Sequence, residues 1–296
     1  MISLMVLNLI YGSMFSIAKF GLTSGQPVFS MGLKAACGGI ISLMIYLLVN
    51  HYRPLITKKE WVLLLMLSIF NVYLANVLEI IGLQNISVGK AAFIYNITPF
   101  ISALFGYIIF HERMTFYKWG GLFLGFSGFI PLFADSLFVE NSAVISSAIS
   151  PELMVCGAAV ASIIGWTTMK FILQNKSLSP FLCNGISLVL GSLFCFMHAY
   201  FFETQPYIRP GHYVSLLITV CIVGIIKFGT AYNLNSFLLI RYTTTLVVFF
   251  GFTASLFAGL LGILLFGEPL TFQFIIAVIL VSVGLFLFYY EEFSHI

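Results

Sequence analysis

Charge is what this chain has least of. Asp, Glu, Lys and Arg supply 8% of its 296 residues, while 60% are hydrophobic and 17% aromatic. With a mean hydropathy of +1.08, it has too little polar surface to cover a water-soluble globule. The charges that exist interrupt apolar runs of roughly 20 residues, the length that spans a hydrocarbon core as a helix. The net charge of +3 is too small to argue for nucleic acid, and no Lys/Arg cluster is interleaved with aromatics in a solvated segment. Cys37, Cys156, Cys183, Cys195 and Cys221 lie in or beside apolar runs, with no Cys-x-x-Cys spacing and no His at metal-ligand distance. They read as small core hydrophobes, and no metal is expected. His51, His111, His198, His212 and His295 are scattered, and there is no Gly-rich phosphate loop or Asp-rich lipid-phosphate motif. Neither an enzyme nor a nucleotide-driven pump is therefore expected, and no cofactor is. The N-terminus enters an apolar run without a basic n-region or small-residue cleavage site, so that run is expected to be a retained first helix.

Apolar runs between breakers predict ten helices, near 2–20, 28–50, 61–83, 88–110, 115–134, 152–174, 180–203, 212–239, 243–266 and 271–290. Lys and Arg in short loops mark the cytoplasmic face. One side collects Arg53, Lys58, Lys59, Arg113, Lys118, Lys176 and Arg241, while the other has Arg209 in a loop with Asp135, Glu140, Glu152, Glu203 and Glu268. Both termini are therefore expected in the cytoplasm. Lys19, Lys34 and Lys90 sit near the opposite face, inside or flanking spans, and weaken the bias without reversing it.

A pattern recurs 156 residues apart. That offset aligns Gly106 with Gly262, Phe110 with Phe266, Glu112 with Glu268, Thr115 with Thr271, Phe116 with Phe272 and Gly128 with Gly284. Five helices separate the copies, and five is odd, so the second copy enters the membrane from the opposite side. Inverted halves can exchange conformations, so that a central site opens to one side and then to the other, as a transporter requires. In the repeated turn, Glu112 and Glu268 read as structural markers at the positive end of the next helix, ahead of Thr115 and Thr271 as caps. The repeated glycines read as packing positions.

The stretches "IYGSMFSIAKFGL" in the first helix, Gly82–Gly128, and its second copy Tyr242–Gly284 together resemble the EamA-like ten-helix carriers of the drug/metabolite transporter superfamily. The resemblance covers nearly the whole chain and is specific to family, not substrate. It implies an all-α integral membrane protein of the bacterial cytoplasmic (inner) membrane, with two inverted five-helix repeats at 1–134 and 152–290. The first four helices of each half would line a central cavity, with the fifth packed peripherally. Three departures are Tyr11-Gly12 in place of Trp-Gly, Lys34 in place of an Arg, and Ser255 at the position matching Pro99, so the first half should be the more kinked.

Polar residues deep in a span are costly in hydrocarbon and mark pathways. The third helix carries Asn71, Asn76 and Glu79 on one broad face; at offset 156, Glu79 corresponds to Asn235 and Asn71 to Lys227. The eighth helix puts Lys227, Ala231 and Asn235 on one stripe with Tyr232 beside it. An acid from one half and an amine from the other can bind the two ends of a zwitterion, or pair with each other when the site is empty. Alternatively, Glu79 snorkels at its helix end and Lys227 neutralises it as a structural pair. Asn8, Tyr11, Phe15 and Lys19 share a face of the first helix, and Trp166, followed by Lys170, matches Tyr11 at offset 155. Lys90 opens the fourth helix, followed by Tyr95, Asn96, Thr98 and Pro99. Aromatic faces can stack on a ring or attract a cation, and of the many aromatics here Tyr11, Trp166 and Tyr232 keep polar neighbours. The candidate substrate-binding set is thus Glu79, Asn76, Lys227, Asn235, Tyr232, Tyr11, Phe15, Lys19, Trp166 and Tyr95.

A deep acid, several lysines and aromatics favour a small zwitterionic or charged metabolite, such as an amino acid or S-adenosylmethionine, which related carriers of the superfamily move. Coupling to protons, exchange for a counter-substrate and facilitated diffusion all stay open. A non-transporting membrane scaffold or assembly subunit is the alternative of a different class, and binding without flux in liposomes is its sign. Replacing Glu79 with Gln separates the two readings of that residue: a binding carboxylate predicts weakened uptake, whereas a snorkelling one leaves substrate affinity unchanged.

Overall fold

In hydrocarbon, backbone N–H and C=O groups must pair within their own segment. The computed structural model describes residues 2–49, 56–110, 115–128, 130, 150–174, 178–242, 244–267 and 272–294. Among them regular structure is helical, apart from one isolated bridge between Gly25 and Ile208. The α-helices are α1 Ile2–Gly21, α2 Pro27–Val49, α3 Lys58–Leu67, α4 Ala75–Leu83, α5 Val88–Ile94, α6 Thr98–Phe110, α7 Phe116–Ser127, α8 Pro151–Gln174, α9 Pro180–Phe202, α10 Tyr213–Ile222, α11 Tyr232–Arg241, α12 Thr244–Phe266 and α13 Phe272–Ser294. α3 runs into α4, and α10 into α11, through single stretches of π-helix at Ser68–Leu74 and Val223–Ala231. Counted as continuous rods, seven of the described helices are long and apolar enough to cross a membrane. The protein is an all-α membrane protein.

Helix ends are closed by side chains where the chain turns back. Thr57 and Glu60 form a reciprocal capping box, which starts the third rod at Lys58, three residues before its apolar pattern begins. Ser87 accepts the Lys90 N–H at 3.1 Å, and Thr115 accepts that of Lys118 at 3.4 Å. Thr115 is thus a cap, while Glu112, Glu268 and Thr271 lie outside the described residues. Glu203, just past α9, accepts the Val28 and Phe29 N–H groups of α2 at 2.7 and 2.9 Å. The start of α2 is thereby tied to the end of α9, and the two helices run antiparallel.

Pro99 has the consequence expected of it. A proline cannot donate to the carbonyl four residues back, here that of Tyr95. The Thr98 hydroxyl takes that carbonyl at 2.7 Å, and a 3-10 turn at Tyr95–Ile97 breaks α5 from α6. The matching stretch of α12 is one unbroken helix.

Glycines set the closest approaches. A Cβ on Gly32 would strike Phe196, and one on Gly185 would strike Leu43; the two contacts exchange under an offset of 153. Gly38 lies against Phe228 and the Gly224 carbonyl, and Gly191 lies against Val72 and the Ser68 carbonyl. Here too one contact maps onto the other, by 153 in the glycine and 156 in its partner. Removing the Cβ lets backbones meet where the hydrophobic effect gives no drive. α7 and α13 pack on each other, with Gly284 against Gly125 and the Gly121 carbonyl. Of the cysteines, Cys183 and Cys195 are buried, Cys37 and Cys156 partly so, and Cys221 faces outward, so it is not a core residue.

Gly38→Leu and Gly191→Leu should each lower the thermal midpoint of the detergent-solubilised protein, with a loss of about 1–3 kcal/mol from overpacking. Gly120→Leu, at a position with nothing within 4 Å, should leave the midpoint in place.

Candidate functional site in the central cavity

Two interrupted rods meet at the centre of the molecule. A π-turn inserts a residue, so positions five apart come onto one face, as at Asn71 and Asn76, and at Lys227 and Tyr232. The widened turn leaves carbonyls for side chains: the Asn76 amide donates to the Asn71 and Val72 oxygens at 3.0 and 2.9 Å, and Thr230 donates to the Ile225 oxygen at 3.0 Å. Asn76 also donates to the Tyr232 hydroxyl at 3.2 Å, and that hydroxyl donates to the Asn71 carbonyl at 3.3 Å. Asn76 and Tyr232 are themselves 156 residues apart. A hydrogen-bonded cross-link therefore joins the two π-turns.

Beside it lies an ion pair. The Lys227 ammonium reaches the Glu79 Oε1 at 3.3 Å, with both side chains below 10% exposed. Tyr95, aimed by the 3-10 turn, donates to Glu79 Oε2 at 3.0 Å. Lys227 also stands 5.6 Å over the Phe228 ring. Glu79 is buried within the protein, not snorkelling into solvent.

These groups wall a cavity holding about 1020 Å³ of empty space, its open part included. Glu79, Asn76, Lys227, Asn235, Tyr232, Tyr11, Phe15, Trp166 and Tyr95 line it. Lys19 does not. Four residues past Phe15, it has reached the last turn of α1, where its ammonium bonds the Ile86 carbonyl at 3.4 Å and sits 5.3 Å from the Phe266 ring. Ala231, placed on the Lys227 stripe by an α-helical period, is fully buried away from the cavity because the π-turn shifts the register. Trp166 meets Tyr232 edge-to-face at 5.0 Å, and Phe15 meets Tyr95 at 5.4 Å. Ser162, one turn before Trp166, also lines the site; its i, i+4 spacing was the only sequence signal for it. The Tyr11 hydroxyl and both polar atoms of the Asn71 amide are buried without a hydrogen-bond partner. Such a wall offers an acid, an amine, aromatic faces and open hydrogen-bonding groups, with His, Cys and metal clusters absent among the described residues. That arrangement can meet a small molecule with two opposite charges and with aromatic faces.

The pair sets a stability test. Lys227→Met strands a buried carboxylate and should cost about 3–5 kcal/mol, whereas Glu79→Gln with Lys227→Met should recover most of that loss. Thermal unfolding in detergent, compared across the two single variants and the double variant, reads the difference.

The model of the EamA-like transporter family matches residues 1–134 and 149–290. A protein of Chlamydia muridarum named S-adenosylmethionine/S-adenosylhomocysteine transporter is 31% identical, over 96% of this chain and 89% of its own. Its namesake in Chlamydia trachomatis serovar L2 is 30% identical, over 96% and 87%. A crystal structure at 15% identity superposes with a TM-score of 0.71, over 98% of this chain and 97% of its own, which speaks for the fold. The matches run nearly end to end and take in every wall of the cavity. This is a multi-pass membrane transporter of a small molecule and not an enzyme, and the chain belongs to the EamA-like transporter family.

Proposed function

We propose that the protein is a secondary transporter of S-adenosylmethionine, or of a closely similar metabolite with an amino-acid end, across the bacterial cytoplasmic membrane. Transport proceeds by alternating access between inverted five-helix halves, 1–134 and 152–290, with both termini in the cytoplasm. The observation that carries this reading is the Glu79–Lys227 pair, an acid and an amine facing each other in one buried cavity. A zwitterionic amino-acid group offers the opposite charges in the same arrangement, so its ammonium replaces Lys227 at Glu79 and its carboxylate replaces Glu79 at Lys227. Trp166, Tyr232, Tyr11 and Phe15 supply faces for a base and a sulfonium. The two chlamydial relatives, by their names, carry such a molecule.

Support for inverted halves comes from the exchangeable contacts. The Gly38 and Gly191 approaches swap under the repeat offset, as do those of Gly32 and Gly185, and the π-turns occupy equivalent positions. α2 and α9, counterparts at offset 153, lie antiparallel, as an in-plane pseudo-twofold axis demands. The self-paired charges let an empty cavity reorient without taking up a proton, which favours exchange for a counter-substrate over proton coupling.

Purified protein in liposomes should accumulate labelled S-adenosylmethionine with saturation, and S-adenosylhomocysteine should compete more strongly than free amino acids or nucleosides. Preloading the liposomes with S-adenosylhomocysteine should raise the rate severalfold, and an imposed pH gradient should leave it unchanged. Flux of a free amino acid or nucleoside in place of S-adenosylmethionine, or binding without flux, would overturn the proposal.

A further inference from the structure

Asn71 differs from its neighbours on the cavity wall. Its side chain is 1% exposed, and neither its amide nitrogen nor its amide oxygen has a partner. Asn76 and Asn8, which line the same cavity, turn their NH2 groups to backbone carbonyls. A buried amide left open costs about 1–3 kcal/mol, and buried side-chain amides are in the large majority paired. An unpaired amide at a cavity surface is therefore a group held ready for a ligand.

Its surroundings define which ligand. Gly165 makes room for Asn71: a Cβ there would overlap the Asn71 Cα, Cβ and Cγ. The next residue is Trp166, whose ring lines the same cavity. A side-chain amide, with one N–H donor beside one carbonyl acceptor, thus shares its cavity with an aromatic ring. A nucleobase needs both: a surface to stack on and an edge to pair with. The amide of Asn matches adenine bidentately, donating to N7 and accepting from the N6 amino group. Hypoxanthine presents two acceptors, O6 and N7, on that edge, and one amide cannot satisfy both.

We propose that Asn71 is the residue that reads the adenine base of the substrate, pairing with its N6–N7 edge while Trp166 covers its face. This rests on the reading of the protein as a carrier of an adenosyl amino acid. It divides the cavity in two: Asn71 takes the base, and Glu79 with Lys227 takes the amino-acid end. Asn71 and Glu79 are eight residues apart on one rod, about 12 Å at helical rise, which suits the two ends of a single elongated ligand. At offset 156, the position of Asn71 is occupied by Lys227. The same place in each half thus serves opposite ends of the molecule, and the cavity is chemically polar although its scaffold repeats.

The test compares S-adenosylhomocysteine with its deaminated analogue S-inosylhomocysteine as competitors of labelled S-adenosylmethionine uptake in liposomes. In parallel, adenosine and inosine are titrated against Trp166 fluorescence in a Trp61→Phe, Trp119→Phe background. The wild type should prefer the adenine form by about tenfold or more, the discrimination expected of one bidentate pair. Asn71→Ala should bring the ratio near one, whereas Asn71→Asp, which accepts from N6 but repels N7, should weaken both analogues and keep the adenine form ahead, because hypoxanthine turns two acceptors to the carboxylate. Monodispersity in detergent and an unchanged thermal midpoint identify the variants that fold. S-adenosylmethionine uptake with equal competition by the two analogues in the wild type, or an undiminished ratio in folded Asn71→Ala, would overturn the assignment and leave the transport reading standing. An Asn71-dependent preference for adenosine without S-adenosylmethionine flux would do the reverse. If neither analogue competes and no S-adenosylmethionine is taken up, both fall.

Discussion

A carboxylate and an ammonium face each other inside an apolar protein, and each constrains what surrounds it. Neither Glu79 nor Lys227 is tolerable alone in such surroundings, because stripping water from an ion costs several kcal/mol. Together with the Tyr95 hydroxyl they satisfy one another. Much of the local architecture serves that meeting. The Pro99 break aims Tyr95, the π-turn at Val223–Ala231 sets Lys227 on the cavity wall, and the Asn76–Tyr232 link joins the rods that carry the two charges. A substrate bearing both charges can replace each partner by its own group, so the binding energy is paired with the loss of an interaction already present. Such a balance suits a carrier, which must release what it binds.

Glycine is the counterpart of that polarity. Gly38 and Gly191 each seat the opposite rod's π-turn, one under Phe228 and the other under Val72. Close backbone approach there lets the widened turns sit inside the bundle, where their displaced carbonyls find Asn76 and Thr230. The interrupted helices are thus held by packing on one side and by side-chain hydrogen bonds on the other. The Asn71 amide, on one of these rods, keeps both its polar atoms without a partner.

The apolar runs and the 156-residue offset made most of the helical layout and the cavity's principal residues legible in the sequence, because burial in lipid penalises a polar group wherever it occurs. Glu79 and Lys227 stand out on that ground, and Trp166 by its match to Tyr11 at offset 155. The π-turns were not legible: a period of 3.6 residues puts Ala231 on the stripe of Lys227, whereas the inserted residue turns Ala231 off the cavity and brings Tyr232, five residues on, to the Lys227 face. Lys19 failed for want of depth: a helical face does not say where along its length the cavity ends. Three lysines at odds with the charge bias proved to be held by protein groups. Lys34 is 1% exposed and donates to Ser30, Lys90 pairs with Glu152 at 2.9 Å, and Lys19 caps a carbonyl. A sequence shows that a lysine is present but not whether a distant chain segment answers its charge.

The claim on which all this depends is that one cavity, shared by two oppositely inserted halves, is reached from each side of the membrane in turn. A single cysteine at Ala75, a buried lining position, in a chain whose five native cysteines are replaced, measures it. A membrane-impermeant thiol reagent applied to right-side-out and to inverted vesicles should label that cysteine from both sides, and saturating S-adenosylmethionine should slow both reactions. Labelling from one side only, unaltered by substrate, would contradict the account.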